Sequence, residues 1–135
     1  MPILLDTGFI YALADLDDSW HARATAYLRK AREVLLAPAP VLPEVAYLLR
    51  ERLGPAAERE FVLSLSAGEM EVESLTQADY RRCAALLERY PQVGFVDASV
   101  IAVAERLRLR AIATTDRRHF AMVRPAHVTT FELLP

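Results

Sequence analysis

Four acidic residues lie beside or among apolar residues, where a charged carboxylate is energetically unfavourable. Asp6 ends the first apolar run of the chain, and Asp116 follows another such run near the C-terminus. Glu44 and Asp97 lie among the apolar residues of two predicted helices. Carboxylates that converge within a few ångströms repel one another unless a cation neutralises them, and hard divalent ions prefer oxygen ligands. The four residues therefore predict a divalent-metal site.

Helical geometry directs two of these acids inward. Successive residues of a helix are about 100° apart around its axis. Around this axis, Asp97 lies within about 60° of Ile101 and Ala104, and Glu44 lies within about 60° of Leu48. We therefore expect both carboxylates on the buried sides of their helices. Such a metal site is typical of nucleases.

Strands and helices alternate along the chain. The hydrophobic pattern predicts strands at 3–5, 34–37, 70–75, 111–114 and 128–133, and helices at 9–14, 20–31, 40–53, 55–67, 76–90 and 96–107. Gly54-Pro55 separates two helices, and Thr76 with Asp79 resembles a capping box. We predict one α/β domain over residues 1–135, with a mainly parallel sheet of about four or five strands and helices on both faces. Asp6 and Asp116 then follow strands, where sites form in such sheets.

Composition restricts the class of protein. The chain has 135 residues, of which 53% are hydrophobic, which suffices for one core. Its single cysteine, Cys83, lies in an apolar helical stripe and excludes an internal disulfide, so we expect a cytoplasmic protein. The N-terminus resembles neither a signal peptide nor a membrane anchor. Setting the four acids aside changes the net charge from −2 to +2, which leaves a weakly basic remainder.

Each acid also has a purely structural interpretation. Asp6, Asp97 and Asp116 can each cap a helix or turn, and Glu44 can interact with the dipole of its own helix. This interpretation requires four independent coincidences, whereas one metal site accounts for all four acids together.

Four short segments carry a resemblance to a known family. They are Ile-Leu-Leu-Asp-Thr-Gly-Phe ending at Phe9, Pro-Glu-Val around Glu44, Gly-Phe-Val-Asp-Ala-Ser-Val-Ile-Ala around Asp97, and Ala-Thr-Thr-Asp-Arg-Arg-His-Phe around Asp116. In this order and on these elements, they resemble the PIN-domain family, especially the small VapC-type toxins of toxin-antitoxin pairs. The resemblance spans essentially the whole chain.

The resemblance implies roles for particular residues. Asp6, Glu44, Asp97 and Asp116 would be the catalytic residues and the metal ligands. Thr7 and Thr114 would support them through their hydroxyl groups, and residues 17–21 would form a loop near the mouth of the site. Gly8 departs from the family's more usual small polar residue, which leaves one supporting hydrogen bond in doubt.

The resemblance also implies an activity, a cofactor and partners. The activity is hydrolysis of RNA phosphodiester bonds by an endoribonuclease that requires Mg²⁺ or Mn²⁺. The partners are the RNA substrate, a cognate antitoxin that fills the groove, and a second copy of the chain in a homodimer.

Several residues near the acids have two interpretations. Arg117 and Arg118 can clamp the scissile phosphate, or can be solvated surface residues. His119 can be an acid or a ligand, although a position at the surface or the edge of the core is favoured. Trp20 and Tyr11 can stack on a base, although packing is favoured.

Other functions fit the sequence less well or remain open. Leu-Leu-Asp-Thr-Gly ending at Gly8 also resembles the signature of aspartic proteases, but those folds are almost wholly β and this chain is dominated by helical patterns. A hydrolase with Asp6 as nucleophile normally has a second aspartate where Gly8 stands. A binding module that captures RNA or a protein on the same fold without cleavage remains the alternative.

Overall fold

The computed structural model describes all residues from 1 to 135. Its twelve elements, in chain order, are β1 (Ile3–Leu5), α1 (Thr7–Ala14), α2 (His21–Lys30), β2 (Leu35–Pro38), α3 (Val41–Leu53), α4 (Pro55–Ser66), β3 (Glu71–Glu73), α5 (Gln77–Arg89), α6 (Phe95–Leu107), β4 (Ala111–Ala113), α7 (Arg117–Met122) and β5 (Glu132–Leu134).

The strands form one five-stranded sheet in the order β3-β2-β1-β4-β5. All four pairings are parallel, with Leu4 opposite Leu36 on one side and Ile112 on the other. From β1 to β3 the chain moves toward one edge, and from β3 to β5 it moves back across the sheet. Since parallel crossovers are right-handed, α1 to α4 cover one face and α5 to α7 cover the other. The predicted α/β class, with a parallel sheet between two helical layers, is confirmed.

The most deeply buried elements lie at the centre of the sheet. All three residues of β1 are buried, and seven consecutive residues of α6, from 98 to 104, are buried against the sheet. Four of those seven are alanine or serine, whose small side chains allow a helix to lie close to its neighbours. This packing gives the N-terminal turn of α6 a fixed position relative to the end of β1.

The predicted boundaries of three helices are confirmed by their terminal residues. The Thr76 hydroxyl accepts a hydrogen bond from the Asp79 backbone, and the Asp79 carboxylate accepts one from the Thr76 backbone, which is the predicted capping box. Gly54 ends α3 at φ 100°, a conformation that glycine adopts readily, and Pro55 begins α4. Cys83 is buried, as predicted, and burial raises the pKa of its thiol to about 11.

Two predicted strands are shorter in the structure, and one helix was not predicted. The last strand covers only Glu132–Leu134 instead of 128–133, because the preceding residues form bends. The third strand is likewise shorter, at Glu71–Glu73 instead of 70–75. The six-residue helix α7 is an addition, since only a turn was expected after Asp116. None of the seven helices reaches the length and apolarity required to cross a bilayer.

Candidate metal centre

The site lies where the direction of the chain reverses within the sheet. After β1 the chain moves toward β2, and after the neighbouring β4 it moves toward β5. Asp6 immediately follows β1, and Asp116 lies three residues beyond the end of β4, at the N-cap of α7. This position at the carboxyl ends of divergent strands is where ligands bind in open α/β sheets.

One pocket brings the four predicted acids together. Its volume is about 360 Å³, and it is lined by Asp6, Thr7, Gly8, Glu44, Gly94, Phe95, Val96, Asp97, Asp116 and His119. Asp97 is in the first turn of α6, and Glu44 is in the first turn of α3. Four separate elements therefore contribute one carboxylate each, as the metal-site prediction requires.

Thr114 connects two of the acids through its buried hydroxyl. Its Oγ1 donates to Asp6 Oδ2 at 2.8 Å and accepts from the backbone N–H of Asp116 at 2.9 Å. The hydroxyl thus fixes the Asp6 carboxylate and the start of the segment that carries Asp116. Thr7 also lines the pocket, but its buried hydroxyl has no hydrogen-bond partner.

Burial and mutual repulsion disfavour the charged forms of two acids. Burial raises the pKa of Asp6 to about 7, and the charge on Asp97 contributes to the increase. Burial likewise raises the pKa of Asp97 to about 6, and the charges on Asp116 and Glu44 raise it further, while His119 acts in the opposite direction. A structural cap is stabilised by its charge, whereas these two carboxylates are penalised for theirs.

The structural interpretation fits two of the four acids, since Glu44 lies in the first turn of α3 and Asp116 caps a helix. The Asp116 carboxylate caps α7 by accepting a hydrogen bond from the His119 backbone at 3.1 Å. Asp6 occupies the N-cap position of α1 without making a side-chain cap bond, and Gly94 is the N-cap of α6. Capping therefore does not account for Asp6 or Asp97.

The expected burial of Glu44 is wrong. Its neighbours Val41 and Val45 are fully buried, but Glu44 is exposed. At this level, the side of α3 that carries Glu44 faces the open pocket and not the core, so the carboxylate remains in contact with solvent. Asp97 is half-buried, in agreement with its predicted position on the inner side of α6.

The residues present fit a divalent cation. Asp6 is only 3% exposed, and its Oδ1 atom has no hydrogen-bond partner although the residue lines the pocket. A buried oxygen without a partner is destabilising unless a ligand satisfies it. The Asp97 and Asp116 carboxylates and the His119 ring can each offer an atom within 4.8 Å of the others, a spacing that suits one shared ion.

His119, for which the sequence favoured a position at the surface or core edge over a role as acid or ligand, lies within this cluster. Its Nδ1 lies 2.7 Å from Asp116 Oδ2 and 3.3 Å from Asp97 Oδ2. The available signal was its spacing of three residues from Asp116, which places both side chains on one face only if a helix begins there. The sequence predicted a turn and not a helix after Asp116, so this spacing did not favour the ligand role for His119. Phe95 and Val96 were also missed as pocket residues.

Several other predicted residues do not line the pocket. Arg117 donates to the carbonyl oxygen of Pro135 and lies 5.4 Å from the Trp20 ring centre, and Arg118 is exposed. Trp20 packs against the core, and Arg23 lies 3.8 Å from its ring centre. Tyr11 is buried and donates to Asp15, while no residue of the loop 17–21 lines the pocket. A phosphate-binding role for either arginine stays a prediction.

The space beside Gly8 is filled by a hydroxyl group from another part of the chain. A Cβ atom at position 8 would lie 2.1 Å from Thr115 Oγ1. Glycine therefore avoids an overlap with the Thr115 hydroxyl, which would have to move to admit a larger residue. The chain retains a hydroxyl next to the pocket, but the hydroxyl comes from the segment after β4 and not from α1.

We expect Gly8→Ala to destabilise the protein by about 1–3 kcal/mol, because the added methyl overlaps Thr115 Oγ1. Alanine is the better helix former by about 1 kcal/mol, so helix propensity alone would predict that Gly8→Ala stabilises the protein. Thr115→Ala should restore most of the loss in the double variant, measured by urea unfolding. Additive effects of the two substitutions would contradict this contact.

Comparison with known proteins identifies the family. The sequence model of the PIN domain family matches residues 3–124 of this chain. The chain belongs to the PIN domain family. The family predicted from the four acidic segments is thereby confirmed.

Related PIN-domain proteins agree with this assignment. Ribonuclease VapC26 of Mycobacterium tuberculosis is 29% identical over 135 residues, which cover 98% of this chain and 100% of the relative. The crystal structure of Mycobacterium tuberculosis VapC20, described as a sarcin-ricin loop cleaving toxin, superposes with a TM-score of 0.82 at 24% identity, covering 96% of this chain and 99% of that one. A toxin-antitoxin complex from Klebsiella pneumoniae gives a TM-score of 0.69 at 21% identity, covering 90% of this chain and 92% of that one.

Proposed function

We propose that this PIN-domain protein is a divalent-metal-dependent endoribonuclease that hydrolyses RNA phosphodiester bonds as the toxin of a toxin-antitoxin pair. The observation that carries the proposal is the pocket in which four elements each present one carboxylate, with Asp6 Oδ1 buried and without a partner. The ribonuclease relative, which matches along its whole length, supports RNA as the substrate. We place this activity in the cytoplasm.

The four carboxylates would hold the ion, with Mg²⁺ or Mn²⁺ as the candidates that suit oxygen ligands. The chemistry that such an ion supplies is a more acidic bound water and stabilisation of charge on the phosphate. Thr114 keeps Asp6 oriented by its hydrogen bond to Oδ2, which leaves Oδ1 available to a ligand. Glu44, the one exposed acid of the four, is the carboxylate of the pocket that is most accessible from solvent.

Two partners belong to this proposal besides the RNA. The Klebsiella pneumoniae neighbour is a toxin-antitoxin complex, which supports a cognate antitoxin for this chain. We further propose a homodimer, as the sequence resemblance implies.

We expect RNA cleavage by the purified protein to require added Mg²⁺ or Mn²⁺ and to stop with excess EDTA, because uncompensated carboxylates repel a phosphate. The measurement is cleavage of a labelled RNA with and without chelator. Asp97→Asn is the matched control, since it removes one charge from the pocket and should abolish cleavage without loss of RNA binding. Full cleavage in EDTA would contradict the metal mechanism. Binding of RNA without cleavage by either protein would favour the non-catalytic binding module.

A further inference from the structure

The ring of His119 lies between two carboxylates that come from different elements. Asp116 is at the N-cap of α7 and Asp97 is in the first turn of α6. His119 Nδ1 is 2.7 Å from an oxygen of the first and 3.3 Å from an oxygen of the second. The same nitrogen therefore faces both acids from one side of the pocket.

Capping of α7 does not require this ring position. The backbone N–H of His119 already donates to Asp116 Oδ1, and this bond completes the cap. The ring instead faces the other oxygen, Oδ2, and the Asp97 carboxylate of α6. The imidazole is one-third exposed at this position and lines the same pocket as Asp6.

The separations of the three donor atoms suit coordination of one ion. One atom each from Asp97, Asp116 and His119 lies within 4.8 Å of the others. Ligand atoms on opposite sides of an ion with bonds of about 2.1–2.2 Å are roughly 4.3 Å apart, and adjacent ones are closer. The three atoms can therefore converge on one ion with small movements of their side chains.

A second observation indicates a ligand at this pocket independently of the cluster. Asp6 is 3% exposed, and its Oδ1 atom has no hydrogen-bond partner. This atom belongs to a different element from the other three donors, yet Asp6 lines the same pocket. A ligand bound in this pocket would satisfy this buried oxygen.

We infer that His119 Nδ1 is a nitrogen ligand of the bound ion, and that the site therefore takes Mn²⁺ in preference to Mg²⁺. The inference rests on the proposed metal-dependent function and specifies the ion. Mg²⁺ strongly favours oxygen ligands, whereas an imidazole nitrogen binds first-row transition ions well. A site of carboxylates alone would discriminate less between the two.

The test uses Mn²⁺ as its probe and does not depend on activity. Pulsed electron paramagnetic resonance of the full-length protein with bound Mn²⁺ should show coupling to an imidazole nitrogen. His119→Asn should lose the coupling, and its dissociation constant for Mn²⁺ in calorimetry should rise by roughly tenfold or more. The constant for Mg²⁺ should change much less. His127→Gln is the matched control, because the His127 ring bonds to the Leu109 carbonyl through Nε2 and lies outside the pocket.

Two results would overturn the inference. One is Mn²⁺ binding by the wild type without nitrogen coupling, a measurement that does not depend on how well any variant folds. The other is coupling that persists in His119→Asn. Cleavage of RNA with Mg²⁺ in either case would leave the proposed function intact. Nitrogen coupling without RNA cleavage under any metal condition would instead support the ligand and contradict the ribonuclease.

Discussion

Asp6→Asn should abolish the growth arrest that we expect on expression of this protein without an antitoxin. Asp6 is the most buried of the four acids, and its unpaired Oδ1 is the donor that most requires a cation. Asparagine keeps the shape and can still accept from Thr114, but it removes the charge that attracts a metal. RNA cleavage in vitro should fall by about 10²–10³-fold or more, as expected for loss of a group that stabilises the transition state.

The comparison requires variants expressed at equal soluble levels. Asp17→Asn is the matched control, because Asp17 is exposed and lies outside the pocket, so the substitution changes net charge equally. This control should remain toxic. Equal toxicity of Asp6→Asn would indicate that the harm arises from binding or aggregation.

The metal-free protein should become less stable as the pH rises from about 4 to about 7. Asp6 has a pKa of about 7 in the folded protein and Asp97 one of about 6, against an ordinary value of 3.8. Between the ordinary and the folded values, the folded state binds more protons than the unfolded state, so the free energy of unfolding falls as pH increases. For Asp6 alone, a pKa that moves from 3.8 to about 7 corresponds to at most about 4 kcal/mol.

Urea unfolding at a series of pH values in EDTA measures this dependence. Asp6→Asn should flatten it, and Asp97→Asn without metal should melt no lower than the wild type at about pH 8, because both substitutions remove a penalised charge. Addition of Mg²⁺ should raise the melting temperature of the wild type more than that of either variant, by linkage. If a variant melts at a lower temperature than the wild type but is stabilised as much by Mg²⁺, the carboxylate that was replaced does not bind the metal.

Local sequence signals determined the elements that hold the site. The apolar run before Asp6 predicted β1, because a run this short without polar positions is typical of a strand buried on both faces. The Thr76 capping box and Gly54-Pro55 fixed helix ends through interactions within a few residues. The positions of Asp6 and Asp116 at strand ends then followed from the general properties of parallel sheets.

Only the tertiary structure decided which side chains meet in the pocket. Glu44 is exposed because its side of α3 faces the pocket, and a helical wheel gives no information on what a helix packs against. The preference for glycine at position 8 arises from Thr115, a residue more than a hundred positions away in the sequence. His119 reaches Asp97 because α7 begins at Arg117 and packs beside α6, and a six-residue helix has too weak a periodic pattern to be recognised in advance. Sequence therefore determined the acids and their elements, whereas long-range packing determined their neighbours, because such contacts depend on the positions of several elements at once.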